Sequence, residues 1–282
     1  YILEWTEQEG QTAQVLLLAK LELFRTTKND RFLEKIEAIT QTAYKQLRKK
    51  GFLTAFKAFL AHRASNELPE KLAELWRRLI YTQARLLVGL ANKHPYRVTI
   101  PVHEFSTSWS ELNPTLLAEA RLLLIAYDIT KDLDFKEVAI HNLDFVFGAN
   151  PSAMSWTTGV GVVFPTEVYQ TTIENDPYYE QVPGLTLIGL GQEGLRPRWE
   201  KPFSQLHFLP FLQPHAVSVP LFHRWSAHPR NIRQNRFSLV QTIGPSVYCT
   251  AMLLCDNWKP DELLKTMKPK LKSELPGYYP LP

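Results

Sequence analysis

The sequence predicts a mainly α-helical fold made of paired antiparallel helices, with a long loop region inserted before a last helix. Three observations carry that expectation. Apolar residues recur with a helical period from about residue 8 to residue 148. Pro and Gly cluster between Gly148 and Asn235, where no period is sustained. A short turn pattern occurs twice, as Thr27-Lys28 ahead of Phe32 and as Thr130-Lys131 ahead of Phe135, each flanked by apolar helices. Repeated helical hairpins bury their stripes against one another, and a closed ring of them is a toroid. A chance match of so short a pattern stands beside that reading.

The elements follow in order. Val15, Leu16, Leu18, Ala19, Leu23 and Phe24 form an apolar stripe, and Asn29 and Asp30 supply turn and cap chemistry. A second helix carries Phe32, Leu33, Ile36, Ile39 and Ala43 inward and stops at Gly51. Leu68 to Leu90 makes a long helix with Leu72, Leu75, Trp76, Leu79 and Ile80 apolar. Pro95 to Pro101 breaks the pattern. Asn113-Pro114 opens the next helix, with Pro in the tolerated first turn and Leu116, Leu117, Ala120, Leu123, Leu124 and Tyr127 apolar. Thr130 to Asp134 is a turn, and Phe135 to Phe147 a helix. Phe237 to Cys255 is apolar enough for a buried helix, kinked or split at Gly244-Pro245. A short charged helix from Lys259 and the Pro-rich stretch Pro276 to Pro282 end the chain. All 282 residues read as one domain.

Composition narrows the function classes. The formal net charge of +4 is small and dispersed, which argues against a nucleic-acid partner. The densest basic run, Lys45 to Lys50, ends a helix, where cations complement the dipole. No run of about 18 uncharged apolar residues exists, so no membrane span is expected. Cys249 and Cys255 lie six apart and point to different sides of a helix, so they do not pair, and no zinc spacing is present. His103-Glu104 lacks a third ligand; no metal and no cofactor are expected. Thr158-Gly159-Val160-Gly161 lacks the strand and Lys of a phosphate loop. The chain opens at Tyr1 without Met, as would the mature start of a secreted protein or an internal cut. With 7 Trp, 11 Tyr and 15 Phe, the aromatic content suits a large core, with or without a sugar-stacking cleft.

One stretch is specific. Asn142-Leu143-Asp144-Phe145-Val146-Phe147-Gly148-Ala149-Asn150-Pro151 is followed by Ser155-Trp156-Thr157-Thr158-Gly159-Val160-Gly161. It resembles glycoside hydrolase family 9: a helix ending in a Gly-x-Asn-Pro turn, then a Ser-aromatic step and a Gly-x-Gly. Trp109-Ser110-Glu111-Leu112-Asn113, Val182-Pro183-Gly184-Leu185 and Asn235-Arg236-Phe237 resemble further family elements in the same order. The likeness spans Trp109 to Leu254. It implies an (α/α)6 barrel, incomplete here, with long loops on one face. The family's Asp-x-x-Asp base motif has no counterpart, so the chain resembles the C-terminal part of the catalytic domain. An N-terminal portion or a second chain would complete the barrel. The resemblance also favours a secreted or periplasmic location.

The resemblance implies inverting hydrolysis of a β-linked glucan, with one carboxyl as acid and another as base for water. Arg236 stands where the acid Glu is expected, and a guanidinium cannot donate a proton at working pH. Glu167 is a weak substitute, with an exposed loop carboxylate as its plain alternative. Phe222-His223-Arg224-Trp225 holds residue types that bind sugar: Trp225 stacks on a pyranose face, and His223 and Arg224 bond hydroxyls. Trp156, Tyr169 and Asn235 complete the expected carbohydrate site. Trp156 and Trp225 carry a second reading, as side chains that pack the loops onto the helices. A non-catalytic helical module that binds glycan or protein is the alternative function.

Overall fold

A computed structural model describes residues 12–33, 68–100, 112–166, 168, 182–189 and 235–255. Five α-helices lie among them: α1 Thr12–Thr27, α2 Glu70–Ala91, α3 Leu112–Thr130, α4 Leu133–Phe147 and α5 Gly244–Cys255. A π-helical segment, Leu239–Ile243, leads directly into α5. The described residues between Gly148 and Ile188 contain no helix, and strand pairing there is limited to isolated bridges. The mainly helical expectation therefore holds. The helix expected from Phe32 is seen only in its first turn, at residues 31–33, and its remainder to Gly51 and the helix expected from Lys259 lie outside the described residues.

Helix α3 is the centre of the core. Ten of its nineteen residues are buried, including Leu116, Leu117, Ala120 and the run Leu122 to Ala126. Apolar residues on every side let it pack against α2, α4 and α5 at once. Helix α2 presents one face inward, with Leu72, Ala73, Trp76, Leu79, Ile80, Ala84 and Leu87 buried. Among the α1 residues whose side chains are described, Lys20, Leu21 and Phe24 are buried, Ala19 is exposed and Leu23 is half-buried, while Val15, Leu16 and Leu18 lie outside them. Apolar residues cover so wide an arc of α1 that periodicity alone does not single out one face.

The two turn patterns are the same structure. Lys28 and Lys131 both adopt left-handed backbone, with φ of 53° and 59°. Each lysine amide donates back into the preceding helix, Lys28 to the Phe24 carbonyl at 2.7 Å and Lys131 to the Tyr127 carbonyl at 2.6 Å. Thr27 and Thr130 each donate their hydroxyl to the carbonyl four residues earlier, at 2.7 Å in both. Asn29 and Asp132 each accept from the amide two residues on, at 3.0 and 3.1 Å, and so cap the helix that follows. Arg85 of α2 ties the second turn down. Its guanidinium pairs with Asp132 and Asp134 and lies over the rings of Tyr81 and Phe135.

The last helix departs from expectation twice. Asn235 to Ser238 do not open it; Phe237 instead bridges antiparallel to Leu187, and the helical turns begin at Leu239. Ser238 caps them by accepting from the Gln241 amide at 3.1 Å. The change from π to α geometry falls at Gly244, beside Pro245, where the sequence places a kink or a break. Nor is the helix buried all round: Pro245, Ser246 and Cys249 are buried, while Leu239, Val240, Val247 and Leu254 face solvent. Both cysteines are free thiols, Cys249 buried and Cys255 exposed. No helix among the described residues is long and apolar enough to cross a membrane.

Candidate functional site

The described motif residues, scattered along the sequence, meet in one loop layer over the ends of α3 and α4, while Trp109, Ser110 and Glu111 lie outside the described residues. Gly148 stops α4 with a φ of 132°, and the Ala149 amide closes the last turn onto the Asp144 carbonyl at 2.8 Å. Asn150 then holds the loop together. Its buried amide nitrogen donates to the Phe145 and Met154 carbonyls at 2.7 and 2.8 Å, and its side-chain oxygen accepts from the Ser152 amide at 3.0 Å. The chain thereby returns over its own helix, where the Trp156 amide donates to the Val146 carbonyl at 2.8 Å.

Three extended segments lie side by side above this turn. The Leu187 amide donates to the Trp156 carbonyl at 2.9 Å, and the Ile188 amide to the Arg236 carbonyl at 2.8 Å. Thr157 and Thr186 share a hydrogen bond between their hydroxyls at 2.9 Å, both buried. Thr158 binds the Val182 carbonyl and the Leu185 amide through its own hydroxyl, at 2.6 and 2.9 Å. The loop Pro183-Gly184 is drawn tight against Gly159, where a Cβ would meet the Pro183 Cβ at 2.7 Å. The close approach permitted by Gly159 is thus made to another part of this chain.

Asn113 locks the layer to the core. Its side chain donates to the Leu187 carbonyl at 3.0 Å, and its amide to the Ile188 carbonyl at 3.3 Å. Gly189 stands against it with a φ of +75°, and a Cβ there would lie 2.4 Å from the Asn113 amide nitrogen. Gly189→Ala should therefore cost about 2 kcal/mol or more, through the strained backbone and the displaced Asn113. Chemical denaturation should show a lowered midpoint with an unchanged slope. A midpoint equal to the parent's would mean that Asn113 yields freely.

The expected site residues are distributed unevenly. Arg236 sits in the outermost of the three extended segments, two strands from Trp156; its side chain is exposed and precedes, but does not begin, the last helix. Asn235 beside it is buried. Trp156 is 0% exposed and belongs to the core cluster, so in this structure its ring packs and offers no face to a sugar. Glu167, Tyr169, His223, Arg224 and Trp225 lie outside the described residues. No group of side chains able to hold a metal ion occurs among the described residues.

One titratable residue escaped the sequence reading. Glu119 of α3 bonds the Thr99 hydroxyl, which accepts from the Asn142 side-chain amide at 2.8 Å. Asn142 is fully buried, also receives the Thr99 amide at 3.1 Å and donates to the Leu116 carbonyl at 3.2 Å. The network ties the segment after α2 to both α3 and α4. Burial pushes the Glu119 carboxyl up to about 8, opposed by the Thr99 bond. Its signal was a carboxylate at helical spacing from Leu116 and Leu123, on the apolar side of the helix.

The described residues define a class, a mainly helical fold with one loop layer over the ends of two of its helices. The profile of glycosyl hydrolase family 9 matches residues 6–191, more than half of the chain, and the chain belongs to that family. The match begins about a hundred residues before Trp109, so family membership extends through helices whose local sequence carries no recognisable motif, and it stops short of Asn235-Arg236-Phe237. Among solved structures, a variant of the thermostable endoglucanase from Alicyclobacillus acidocaldarius is similar with a TM-score of 0.65 and 16% identity, over 86% of this chain and 43% of that one. A family 9 protein from Bacteroides ovatus gives a TM-score of 0.65 at 14% identity, over 85% and 40%. The endoglucanase of the termite Nasutitermes takasagoensis gives 0.56 at 13%, over 88% and 52%. The chain thus spans about half the length of the structures it matches. A search of curated proteins found no match.

Proposed function

We propose that this chain is the later part of a family 9 barrel that acts on a β-linked glucan, with an N-terminal portion or a second chain completing the (α/α)6 ring. Family membership over residues 6–191 is the observation that carries the reading. The loop layer from Gly148 to Gly189, anchored by Asn113 and Asn150, supports it as the sugar-facing side. Inverting hydrolysis would need an acid to protonate the leaving oxygen and a base, about 6.5–9.5 Å away, to activate water. Arg236 at the acid position supplies a permanent cation in place of a proton donor, so the chain as it stands is expected to bind glucan with little or no turnover. The exposure of Arg236 favours a second reading, a glycan-binding module without catalysis.

The natural full-length polypeptide and its Arg236→Glu variant should be compared on soluble β-glucan, chitin-type and mixed-linkage oligosaccharides, following both binding and new reducing ends. Turnover gained only in the variant is the expected result where a base is supplied by the rest of the barrel. Binding without turnover in both forms would favour the binding module. Absence of binding and turnover in both would overturn the carbohydrate reading.

A further inference from the structure

The chain leaves α2 through a tight turn that is supported from inside by an imidazole. Pro95 takes the first central position, and the Arg97 amide closes the turn on the His94 carbonyl at 2.8 Å. Within it, the Tyr96 amide donates to Nδ1 of His94 at 3.2 Å. Asn and Asp make the same bond, to the amide two residues on, with a side-chain oxygen; here a ring nitrogen takes that place. Nδ1 accepts only through its lone pair, so the closed turn requires a neutral ring with its proton on Nε2. His94 is 6% exposed, and burial pushes its pKa down.

The residues that follow depend on this turn. The Tyr96 ring meets Phe145 of α4 edge-on at 5.6 Å. Arg97 pairs with Glu137 of α4, and its backbone is held left-handed, at a φ of 53°. Phe145 in turn lends its carbonyl to Asn150, the anchor of the loop layer. Two residues beyond Arg97, Thr99 is fixed separately, by Asn142 and Glu119. Among the described residues, the charged and titratable groups of this neighbourhood are Lys93, Tyr96 and Arg97 on the segment itself, Glu137, His141 and Asp144 on α4, and Glu119 on α3 at Thr99. The last turn of α2 adds none. Nε2 of His141 lies 3.7 Å from the Glu137 carboxylate. A charged His94 would therefore stand between the cations Lys93 and Arg97, with Glu137 already engaged by Arg97.

We propose that residues 93–97 are a latch on α4 that stays closed while His94 is neutral and opens when its ring takes a second proton. The proton goes to Nδ1, the atom that receives the Tyr96 amide, so two N–H groups then face each other and the turn loses its inner support. Opening relieves the left-handed backbone at Arg97 and withdraws the Tyr96 ring from the last turns of α4. The open latch binds a proton at the ordinary histidine value near 6.5 and the closed latch only below it, so closure is complete above about 6.5 and weakens as pH falls beneath it. Glu119 works in the opposite sense, since acid keeps its carboxyl protonated, so Thr99 stays in place and marks the end of the part that opens.

Residue-resolved amide exchange, corrected for the intrinsic effect of pH, should be followed from about pH 7.5 to about pH 5. Opening at Tyr96 and Arg97 should increase by about tenfold over that span, while Thr99 changes by less than about twofold. Nitrogen shifts of the His94 ring should show the Nε2–H form at the upper pH, and the charged ring should appear together with the opening. His94→Asn puts an oxygen where Nδ1 stood and has no proton to gain, so Tyr96 should stay protected at every pH. Should that variant fail to fold, the ring tautomer and the coincidence of the two titrations in the parent decide alone. His141→Gln should leave the rise at Tyr96 as in the parent. Five results would each overturn the proposal: an Nδ1–H ring at the upper pH, a ring that charges while Tyr96 stays protected, the same rise in His94→Asn, its loss in His141→Gln, or equal opening at Thr99.

Discussion

Trp156→Ala should lower the unfolding free energy by about 3–5 kcal/mol, the range for deleting a large aromatic from a core. The ring is completely enclosed. The residue's main chain is fixed at both ends, its amide on Val146 of α4 and its carbonyl on Leu187, so the site cannot collapse around the cavity. Trp156→Phe should recover a good part of the loss. Thermal and denaturant unfolding would measure it. A loss under about 1 kcal/mol, together with weakened binding to oligosaccharide, would mean that the ring leaves the core to meet a ligand.

The second large effect concerns pH. Glu119 has a folded carboxyl raised to about 8, above its ordinary value near 4.5. Between those values the folded chain holds a proton that the unfolded chain has released, so stability falls as pH rises through that window. Solvent reaches part of the side chain, which brings the expected span down to on the order of 2 kcal/mol. Glu119→Gln keeps a group that can bond Thr99 and cannot ionise. It should flatten the melting temperature between pH 5 and pH 8 and stabilise the chain most at the alkaline end. Identical pH profiles for the two proteins would show that Glu119 is ionised in the fold at no cost.

Much of the helical frame was legible because its chemistry is local. The periods of α2, α3 and α4 mark which residues lie inside, and Gly148 marks where α4 stops, while the Asp132 cap starts α4 at Leu133, two residues ahead of the expected Phe135. The last helix was misread at its start because Phe237 pairs with Leu187, a contact fifty residues away. Its burial was misread because an apolar helix shows that it needs covering and does not show whether the cover is in the same chain. The loop motif identified the family, yet the role of Trp156 depended on where the chain folds back over Val146, and no spacing encodes that. Glu119 was passed over because one carboxylate in an apolar stripe acquires meaning only when Thr99 and Asn142 are brought to it.

The paired turns at Lys28 and Lys131 bear on how the chain reaches its fold. Their backbone and capping hydrogen bonds, from Leu23 to Leu33 and from Ala126 to Phe135, span only a few residues, and the Arg85 contacts to Asp132 and Asp134 are the long-range addition to the second turn. Contacts so close in sequence have little loop-closure entropy to overcome and form early in folding. A ring assembled from such units acquires its long-range contacts last, as whole hairpins dock. The order of events makes the joints between hairpins, and not the hairpins themselves, the places where such a chain can be divided and rejoined. A polypeptide holding a fraction of the ring can then enter folding by the same first steps as the whole, with its early, local structure intact and only the final docking left undone.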